Sequence, residues 1–510
     1  MLNARFITRV RVVTALCILC AVVIIGKLYF LQIMHGEEYA RRADAQSVEL
    51  KNPLLNRGTI YFSDKDGNLI TAATLKELDT THSTSSSAAE HQRYYPGGSL
   101  AAHTLGFVAY NNDNEQKGRY GLERYYEQTL ARGGADSYSN FFVELFSGFS
   151  GAPSGGGQGD IITTIEPSVQ SELERTLSEY ASQWHPALSG GIVMDPLNGE
   201  IVAMAVSPSF DLNRFNEQTN AGIFKNPQNE SVYEMGSIIK PLTMAAGLDS
   251  GTITEASVYD DTGCITLEQK KICNFDAKAR GVIPMQEILS QSLNVGSAYI
   301  ATKMGPVTFR EYFLNRYKLG VETGIDLPGE IRGLVQNLQS PRQVEYATAA
   351  FGQGIALTPV QTVRALASLG NGGILVTPHL VRAVKYDTGV TRTLNWGEGE
   401  QILRPETSTA ISRMLTKVVD TTLADGKLKM EHYNLAAKTG TAQIANPAGG
   451  GYYADRYLHS FFGYFPSFAP KFVVFLFAVE PTGASFSSQT WAQPFGALVK
   501  FLINYYNIPP

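Results

Sequence analysis

The stretch YEMGSIIKPLTM, residues 233–244, places Ser237 and Lys240 three positions apart in an otherwise apolar run. On an α-helix, positions i and i+3 share a face, so the lysine amine can reach the serine hydroxyl. That is the arrangement of a nucleophile with its own base. The alternative is a helix cap at Ser237, with Pro241 in the first turn and Lys240 as a solvated charge. One Ser-x-x-Lys motif does not decide between these two interpretations, so the rest of the chain must.

Length and composition describe a large folded protein. The 510 residues, 44% of them hydrophobic and 17% charged, suffice for two or three domains around a large core. The net charge of -5 gives no electrostatic reason to expect nucleic-acid binding. We therefore predict no nucleic-acid partner.

An apolar run near the N-terminus predicts a membrane anchor. Residues 12–34 are apolar except for Lys27 and Gln32, and at ~1.5 Å per residue they can cross a ~30 Å hydrocarbon layer. Arginines precede the run, so the positive-inside rule places the short tail, 1–11, in the cytoplasm. We predict a single-pass protein of the cytoplasmic (inner) membrane whose remaining chain lies on the extracytoplasmic side. A cleaved signal peptide is the alternative, although no small-x-small site follows the run.

Two cysteines flank a predicted hairpin. Cys264 and Cys273 enclose ITLEQKKI, which has a charged tip between two short strand patterns. In an oxidising compartment the two could form a disulfide, and two free thiols are the alternative. With eight residues between the cysteines and no histidine nearby, we expect no metal site.

The chain after the anchor divides at a Gly/Ser/Pro-rich stretch. Residues 35–146 mix helical and strand patterns and predict an N-terminal domain, and 147–159, SGFSGAPSGGGQG, predict a linker. Residues 160–510 predict one large α/β domain, because they alternate helical patterns with paired strands such as GGIVMDPLNGEIVAMAVS. Hairpins imply antiparallel pairing, so we expect an antiparallel sheet with helices packed on its faces.

Two further motifs add to the serine and lysine. SLN spans Ser292–Asn294, and KTGTA spans Lys438–Ala442. Ser-x-x-Lys, Ser-x-Asn and Lys-Thr-Gly together are the established signature of penicillin-binding proteins and class A β-lactamases. Other segments resemble the same family in its order, including RGTIY at 57–61 and FGQGIALTP at 351–359. The chain thus resembles a class B, monofunctional penicillin-binding protein, a peptidoglycan D,D-transpeptidase of the division type.

The resemblance implies both architecture and function. It implies an α/β (α+β) fold: a penicillin-binding, β-lactamase-like transpeptidase domain with a central antiparallel sheet, an N-terminal mixed α/β pedestal and one transmembrane helix. It implies cross-linking of peptidoglycan stem peptides through an acyl-enzyme, with release of D-Ala and without a cofactor. The implied partners are stem peptides, β-lactam antibiotics, a membrane-embedded glycan polymerase, division proteins and the lipid bilayer.

Residue roles follow from the motifs. A serine hydroxyl needs a base to attack an amide, and no histidine lies in any of the motifs. We therefore assign Ser237 as the nucleophile and Lys240 as its base. An apolar pocket and a second cation at Lys438 would lower the pKa of Lys240 from its usual ~10.4. Ser292 is predicted to relay a proton to the leaving amine, and Asn294 to bond Lys240 and the substrate amide. Without the other two motifs, the SLN motif would be interpreted as a helix cap.

The Lys-Thr-Gly stretch is predicted to bind the substrate as an extended strand. Gly440 is expected to leave the strand surface open for another backbone, as in β-strand addition. Thr439, Thr441 and Lys438 are expected to bind the terminal carboxylate of D-Ala-D-Ala. The backbone N–H groups of Ser237 and Thr441 are the predicted oxyanion hole.

Other functions of the same motifs remain as alternatives. An elongation-type or sporulation-type transpeptidase would carry the same residues. A β-lactamase or D,D-carboxypeptidase would resolve the acyl-enzyme with water, and a soluble β-lactamase would need neither anchor nor pedestal. An inactive division scaffold would be expected to have lost Ser237, Lys240 or Lys438, and all three are present.

Overall fold

The computed structural model describes residues 57–77, 91–110, 116–132, 157–446 and 448–509, together with Thr14. The predicted anchor, 12–34, therefore lies outside the described residues except for Thr14, and so does most of the predicted linker, 147–159. None of the helices in the described ranges is long and apolar enough to cross a membrane.

Strands and helices alternate through the described chain. The N-terminal part holds β1 (Ile60–Ser63), β2 (Leu69–Glu77), β3 (His91–Tyr94), α1 (Ala102–Leu105), β4 (Val108–Tyr110), β5 (Gln116–Gly118), α2 (Gly121–Tyr125) and α3 (Glu127–Leu130). The next part holds β6 (Gly159–Thr163), α4 (Pro167–Trp184), β7 (Leu188–Met194), β8 (Ile201–Ser207), α5 (Pro227–Glu230), α6 (Lys240–Asp249), β9 (Val258–Asp261), β10 (Cys264–Leu267), β11 (Lys270–Cys273), β12 (Gly281–Pro284), α7 (Met285–Ser290) and α8 (Asn294–Arg310). The last part holds α9 (Gln343–Ala349), α10 (Pro359–Ala367), β13 (Ile374–Leu375), β14 (Val381–Tyr386), β15 (Thr391–Thr393), β16 (Glu400–Gln401), α11 (Pro405–Thr421), β17 (Ala436–Ala445), β18 (Tyr452–Phe465), β19 (Phe472–Val479) and α12 (Ser487–Tyr506).

The central sheet has five antiparallel strands in the order β17-β18-β19-β7-β8. Strand β19 lies in the middle, and from Phe472 to Ala478 every residue is buried. A strand covered on both faces reads as a continuous apolar run, which explains the sequence FVVFLFAV. The antiparallel sheet predicted from the hairpin patterns is therefore present.

Helices cover both faces of this sheet. On one face α4 packs on β8 and α12 packs on β18, and the rings of Tyr180 and Trp491 stack at 3.7 Å where the two helices meet. On the other face α11 lies against β17, and the hydroxyl groups of Ser412 and Tyr464 are hydrogen-bonded at 2.8 Å. Because side chains alternate along β18, residues such as Phe461 and Phe462 face opposite layers.

A second sheet joins the N-terminal strands to the rest of the protein. Its six strands run in the order β15-β14-β6-β1-β2-β3, with β1 and β6 parallel and the other neighbours antiparallel. Strand β6 follows the predicted linker, and β14 comes more than two hundred residues later. The regions predicted as pedestal and transpeptidase domain therefore share one hydrogen-bonded sheet.

Candidate active site

Ser237 lies in a 3₁₀ turn, Gly236–Ile239, that leads directly into helix α6. Gly236 has φ of 64°, and a Cβ there would stand 3.0 Å from the Ala442 Cβ and 3.1 Å from the Thr441 oxygen. Only glycine lets the turn approach β17 this closely in that conformation. Ser237 itself stays half-buried while the residues around it in the turn are buried. The serine is thus held at the end of a buried helix and against the edge strand of the central sheet.

Lys240 is the first residue of α6, one turn after Ser237, and only 1% of it is exposed. Its amine donates hydrogen bonds to the carbonyl oxygen of Ser292 at 2.5 Å and to Ser292 Oγ at 3.1 Å. Burial, and then the nearby charge of Lys438, hold the pKa of Lys240 well below its usual range. A lowered pKa favours the neutral amine, which is the form that can accept a proton.

Lys438 supplies the second amine of the site from strand β17, and it is 2% exposed. Its Nζ donates to Ser292 Oγ at 3.0 Å and to the carbonyl oxygen of Thr439 at 2.9 Å. Burial lowers the pKa of Lys438 to about 7. The two lysines are therefore joined through a single serine hydroxyl.

Ser292 occupies the turn between α7 and α8 and has φ of 55°. This left-handed conformation ends α7 and turns both the carbonyl and the hydroxyl of Ser292 toward the lysines. A hydroxyl has two acceptor sites and one donor, so with both lysines donating to Ser292 Oγ its own proton is available to a third group. This arrangement suits the predicted proton relay.

Asn294 begins helix α8, and its Nδ2 donates to the carbonyl oxygen of Cys273 at 2.9 Å. We expected a hydrogen bond between Lys240 and Asn294, but the amine of Lys240 is instead bonded to Ser292. The preceding hairpin, β10 with β11, is closed by a disulfide between Cys264 and Cys273, which stand opposite each other in the register. The disulfide thus fixes the strand end that orients Asn294.

Strand β17 is an edge strand of the central sheet, and it leaves Thr439 and Thr441 partly exposed. Thr441 Oγ1 accepts a hydrogen bond at 3.1 Å from the backbone N–H of Ser487, the first residue of α12. Its hydroxyl proton therefore remains available for donation to a carboxylate. The structure brings the predicted carboxylate-binding residues to one strand edge beside Ser237.

Gly440 has a different role from the one predicted. We expected it to open the strand surface for a substrate backbone, but the side of Gly440 that would carry a Cβ faces the interior of the protein. A Cβ at Gly440 would stand 2.3 Å from Ser460 Oγ and 2.7 Å from the Met235 oxygen. The missing side chain therefore makes room for the chain leading into Ser237, while binding of an extended ligand along the edge of β17 stays a prediction.

Several residues that support the nucleophile were not identified from the sequence. Ser460 Oγ donates to the carbonyl oxygen of Met235 at 2.9 Å, which joins β18 to the turn before Ser237. The backbone N–H of Gly236 donates to the carbonyl oxygen of Gly352 at 3.2 Å, so the turn at residues 352–354 also supports the residue before Ser237. Such contacts between distant segments carry no local sequence signal, except that a glycine pair is a sign of close backbone approach.

The site is built from amines and hydroxyls. Within the described ranges no group of three His, Cys, Asp or Glu side chains could hold a metal ion. What the arrangement offers is a nucleophile, two lysines of lowered pKa, a bridging hydroxyl and an open strand edge. These groups together can carry out acyl transfer through a serine ester.

The family model described as penicillin binding protein transpeptidase domain matches residues 190–499, which include all three motifs. The chain belongs to this family. The resemblance identified from the sequence is thereby confirmed. Stage V sporulation protein D of Bacillus subtilis is 29% identical over 418 residues, 79% of this chain and 62% of that protein. The peptidoglycan D,D-transpeptidase FtsI of Escherichia coli is 28% identical over 429 residues, 82% of this chain and 68% of that protein.

A third relative and a solved structure add to this comparison of the transpeptidase family. Penicillin-binding protein PbpB of Mycolicibacterium smegmatis is 27% identical, and the match covers 82% of this chain and 65% of PbpB. The chain thus spans less than two thirds of the length of two of these relatives. The crystal structure of penicillin binding protein 3 from Mycobacterium tuberculosis with aztreonam superposes with a TM-score of 0.76 at 23% identity, covering 89% of this chain and 97% of that one. This likeness shows that the chain has the penicillin-binding transpeptidase fold.

Proposed function

We propose that the chain is a membrane-anchored peptidoglycan D,D-transpeptidase that cross-links stem peptides through an acyl-enzyme on Ser237. The observation that carries the proposal is the half-buried Ser237 one turn before a buried lysine whose pKa is lowered. A neutral amine in that position can remove the serine proton, and the chain has a strand edge on which an extended peptide can lie. Relatives of the chain are named peptidoglycan D,D-transpeptidases.

Acylation begins when neutral Lys240 takes the proton of Ser237 Oγ and the oxygen attacks the carbonyl carbon of the penultimate D-Ala. The backbone N–H groups of Ser237 and Thr441 stabilise the resulting oxyanion, by roughly 3 to 4 kcal/mol for each donor. Ser292 passes a proton to the leaving nitrogen, the peptide bond breaks and terminal D-Ala departs. The Ser292 hydroxyl is placed for this because it is bonded to the lysine that received the proton.

Strand β17 and the residues next to it bind the substrate. Protonated Lys438 and the hydroxyl groups of Thr439 and Thr441 hold the terminal carboxylate, and Asn294 contacts the donor amide. An amine from a neighbouring stem peptide then attacks the ester, which forms the cross-link and returns the proton to Ser237. No metal or organic cofactor takes part in these steps.

β-Lactam antibiotics are proposed to acylate the same serine. A β-lactam presents an amide carbonyl and a carboxylate in the arrangement of the D-Ala-D-Ala terminus, so the groups described above would bind it too. Solved structures with the same fold are complexes of penicillin binding protein 3 with aztreonam and with ampicillin. We therefore expect a long-lived adduct on Ser237.

The cellular role proposed is septal cell-wall synthesis. The anchor, 12–34, would hold the protein in the cytoplasmic membrane, with the pedestal, 35–146, and the transpeptidase domain, 160–510, on the outer side. A membrane-embedded glycan polymerase and division proteins would be its partners, since the chain itself is proposed only to cross-link. The sporulation-type role is the second candidate, because one relative is a stage V sporulation protein.

The proposed activity is tested by intact-mass spectrometry of the purified protein incubated with a penicillin and followed for hours. We expect one stoichiometric adduct on the unaltered protein and on the control Ser231→Ala, and none on Ser237→Ala. An adduct that is released within seconds would favour a β-lactamase-like activity. If folded protein formed no adduct at all, the transpeptidase proposal would be wrong and a scaffold role would replace it.

A further inference from the structure

Two exposed phenylalanines contact each other beside the site. Phe275 is 65% exposed and Phe486 is 46% exposed, yet their ring centroids are 6.1 Å apart and the rings meet edge to face at 79°. Large aromatic side chains with this much exposure gain little from burial, so folding alone does not account for both. Their position relative to the catalytic groups gives a reason for the contact.

Phe275 belongs to the side of the cleft that carries Asn294. The carbonyl oxygen of Cys273 accepts the bond from Asn294 Nδ2, and the side chain of Asn274 accepts one from the backbone N–H of Val295 at 3.1 Å. Residues 273 and 274 are thus fastened to the start of α8. Phe275 follows them directly and projects from the same wall.

Phe486 belongs to the opposite side, which carries strand β17. The next residue, Ser487, donates its backbone N–H to Thr441 Oγ1 at 3.1 Å and its hydroxyl to the oxygen of Ser460 at 2.7 Å. The backbone at Phe486 is therefore held beside the predicted carboxylate-binding threonine. The ring reaches from this wall to meet Phe275.

We propose that Phe275 and Phe486 form an aromatic bridge across the acyl-donor cleft, which bounds the bound donor and shields the acyl-enzyme from water. The inference rests on the proposed function and adds two positioning residues to it. The contact joins the Asn294 wall to the Thr441 wall, and Ser237 lies between them, since its turn touches β17 and Lys240 touches Ser292. In this proposal, an acyl group on Ser237 occupies the cleft that the two rings span.

One half of the bridge is oriented in advance. The guanidinium of Arg280 stands over the ring of Phe275 at 6.0 Å and forms an ion pair with Asp276 at 2.9 Å. A cation over an aromatic face holds the ring in place. Phe275 thus has a partner, besides Phe486, that favours its orientation toward the cleft.

Shielding matters because water competes with the acceptor amine. In hydrolysis the water oxygen bonds to the acyl carbon, the bond to Ser237 Oγ breaks, and the serine oxygen takes a proton from that water. A transpeptidase must keep this reaction slow until the acceptor arrives. Two apolar rings across the cleft reduce the access of bulk water to the ester and leave the reaction of the acceptor amine unchanged.

The test measures adduct release from the full-length protein in detergent. The protein is labelled with a fluorescent penicillin, excess unlabelled penicillin is added, and loss of label is followed for Phe275→Ala, Phe486→Ala and the double variant. We expect release about three- to tenfold faster in each single variant, which corresponds to the free energy that one aromatic pair usually contributes. The double variant should be no faster than the faster single, because either change already breaks the contact.

Controls separate this effect from a general loss of packing. Phe468→Ala removes a phenylalanine that is 53% exposed in the turn between β18 and β19, and it should release label at the unaltered rate. Phe275→Tyr keeps the ring and should restore slow release. Release within twofold of the unaltered rate in both alanine variants, or additive effects in the double variant, would overturn the bridge. Failure of the unaltered protein to form any adduct would instead mark a failure of the proposed function.

Discussion

Lys240 and Lys438 donate hydrogen bonds to one and the same oxygen, Ser292 Oγ, at 3.1 and 3.0 Å. Both lysines are almost fully buried, and the pKa of each is lowered. Two ammonium groups this close in a buried site repel each other, so the site favours at most one positive charge. The shared hydroxyl is a path along which a proton can be exchanged between the two sides of the cleft.

Removing the shared hydroxyl should therefore slow acylation while leaving the nucleophile in place. For Ser292→Ala we expect the second-order rate of labelling by a fluorescent penicillin to fall by about 100-fold or more, the usual worth of a positioned proton donor. Ser290→Ala, two residues earlier at the end of α7, is the matched control. A Ser292→Ala rate within threefold of the unaltered rate would contradict the relay.

The charge of Lys438 should set the pH dependence of acylation. That charge lowers the pKa of Lys240, so Lys438→Met should raise the pKa of Lys240 and move the acid limb of the rate profile to higher pH. The unaltered enzyme should also lose activity as pH rises through about 7, because Lys438 then loses the charge that binds the carboxylate. The measurement is the labelling rate between pH 5 and about 10, normalised within each variant.

One result would contradict this effect of Lys438 on the pKa of Lys240. If Lys438→Met lowers the rate uniformly and leaves the acid limb at the same pH, Lys438 does not tune Lys240. Lys438→Arg keeps a cation and should keep the acid limb near its original position, although the bulkier group need not restore the rate.

Gly440→Ala should disable the enzyme through the nucleophile turn and not through the ligand. The new Cβ would stand 2.3 Å from Ser460 Oγ and 2.7 Å from the Met235 oxygen, so the turn that holds Ser237 must shift. A displacement of about 1 Å costs roughly 100-fold in rate, which is the expected loss of labelling. Gly449→Ala is the control, since there a Cβ would approach only the Asn446 side chain, at 3.1 Å. Unimpaired labelling of Gly440→Ala would show that this packing is not required.

The disulfide should stabilise the hairpin next to Asn294. Cys264 and Cys273 are nine positions apart, and removing a cross-link over so short a loop costs about 2 to 3 kcal/mol. We expect the double change Cys264→Ser with Cys273→Ser to lower the midpoint of thermal unfolding. Reductant should lower the midpoint of the unaltered protein in the same way and leave the double variant unchanged. Equal midpoints for the two proteins would contradict the prediction.

Local patterns were enough to predict paired strands of the central sheet and the placement of Lys240 one turn after Ser237. The hairpin pattern GGIVMDPLNGEIVAMAVS predicted β7 and β8, and the Ser-x-x-Lys spacing predicted that Lys240 lies one turn after Ser237. These predictions succeeded because helix and strand periodicity is visible within a few residues.

Contacts between distant segments could not be predicted in the same way. Nothing in the sequence near Ser292 shows that two lysines converge on its hydroxyl, and Gly440 was assigned to the wrong neighbour. The contact of Phe275 with Phe486 also joins segments that only the fold brings together. In each case the decisive partner lies far along the chain, where spacing carries no information.

The position of β6 between β1 and β14 has a practical consequence for protein production. A shortened gene that starts at the predicted linker would delete β1 and leave one side of β6 as an unpaired strand edge. Such an edge recruits other chains and promotes aggregation. Material for inhibitor screening or crystallisation should therefore begin before Arg57 and retain the N-terminal strands, even when only the β-lactam-reactive portion is wanted.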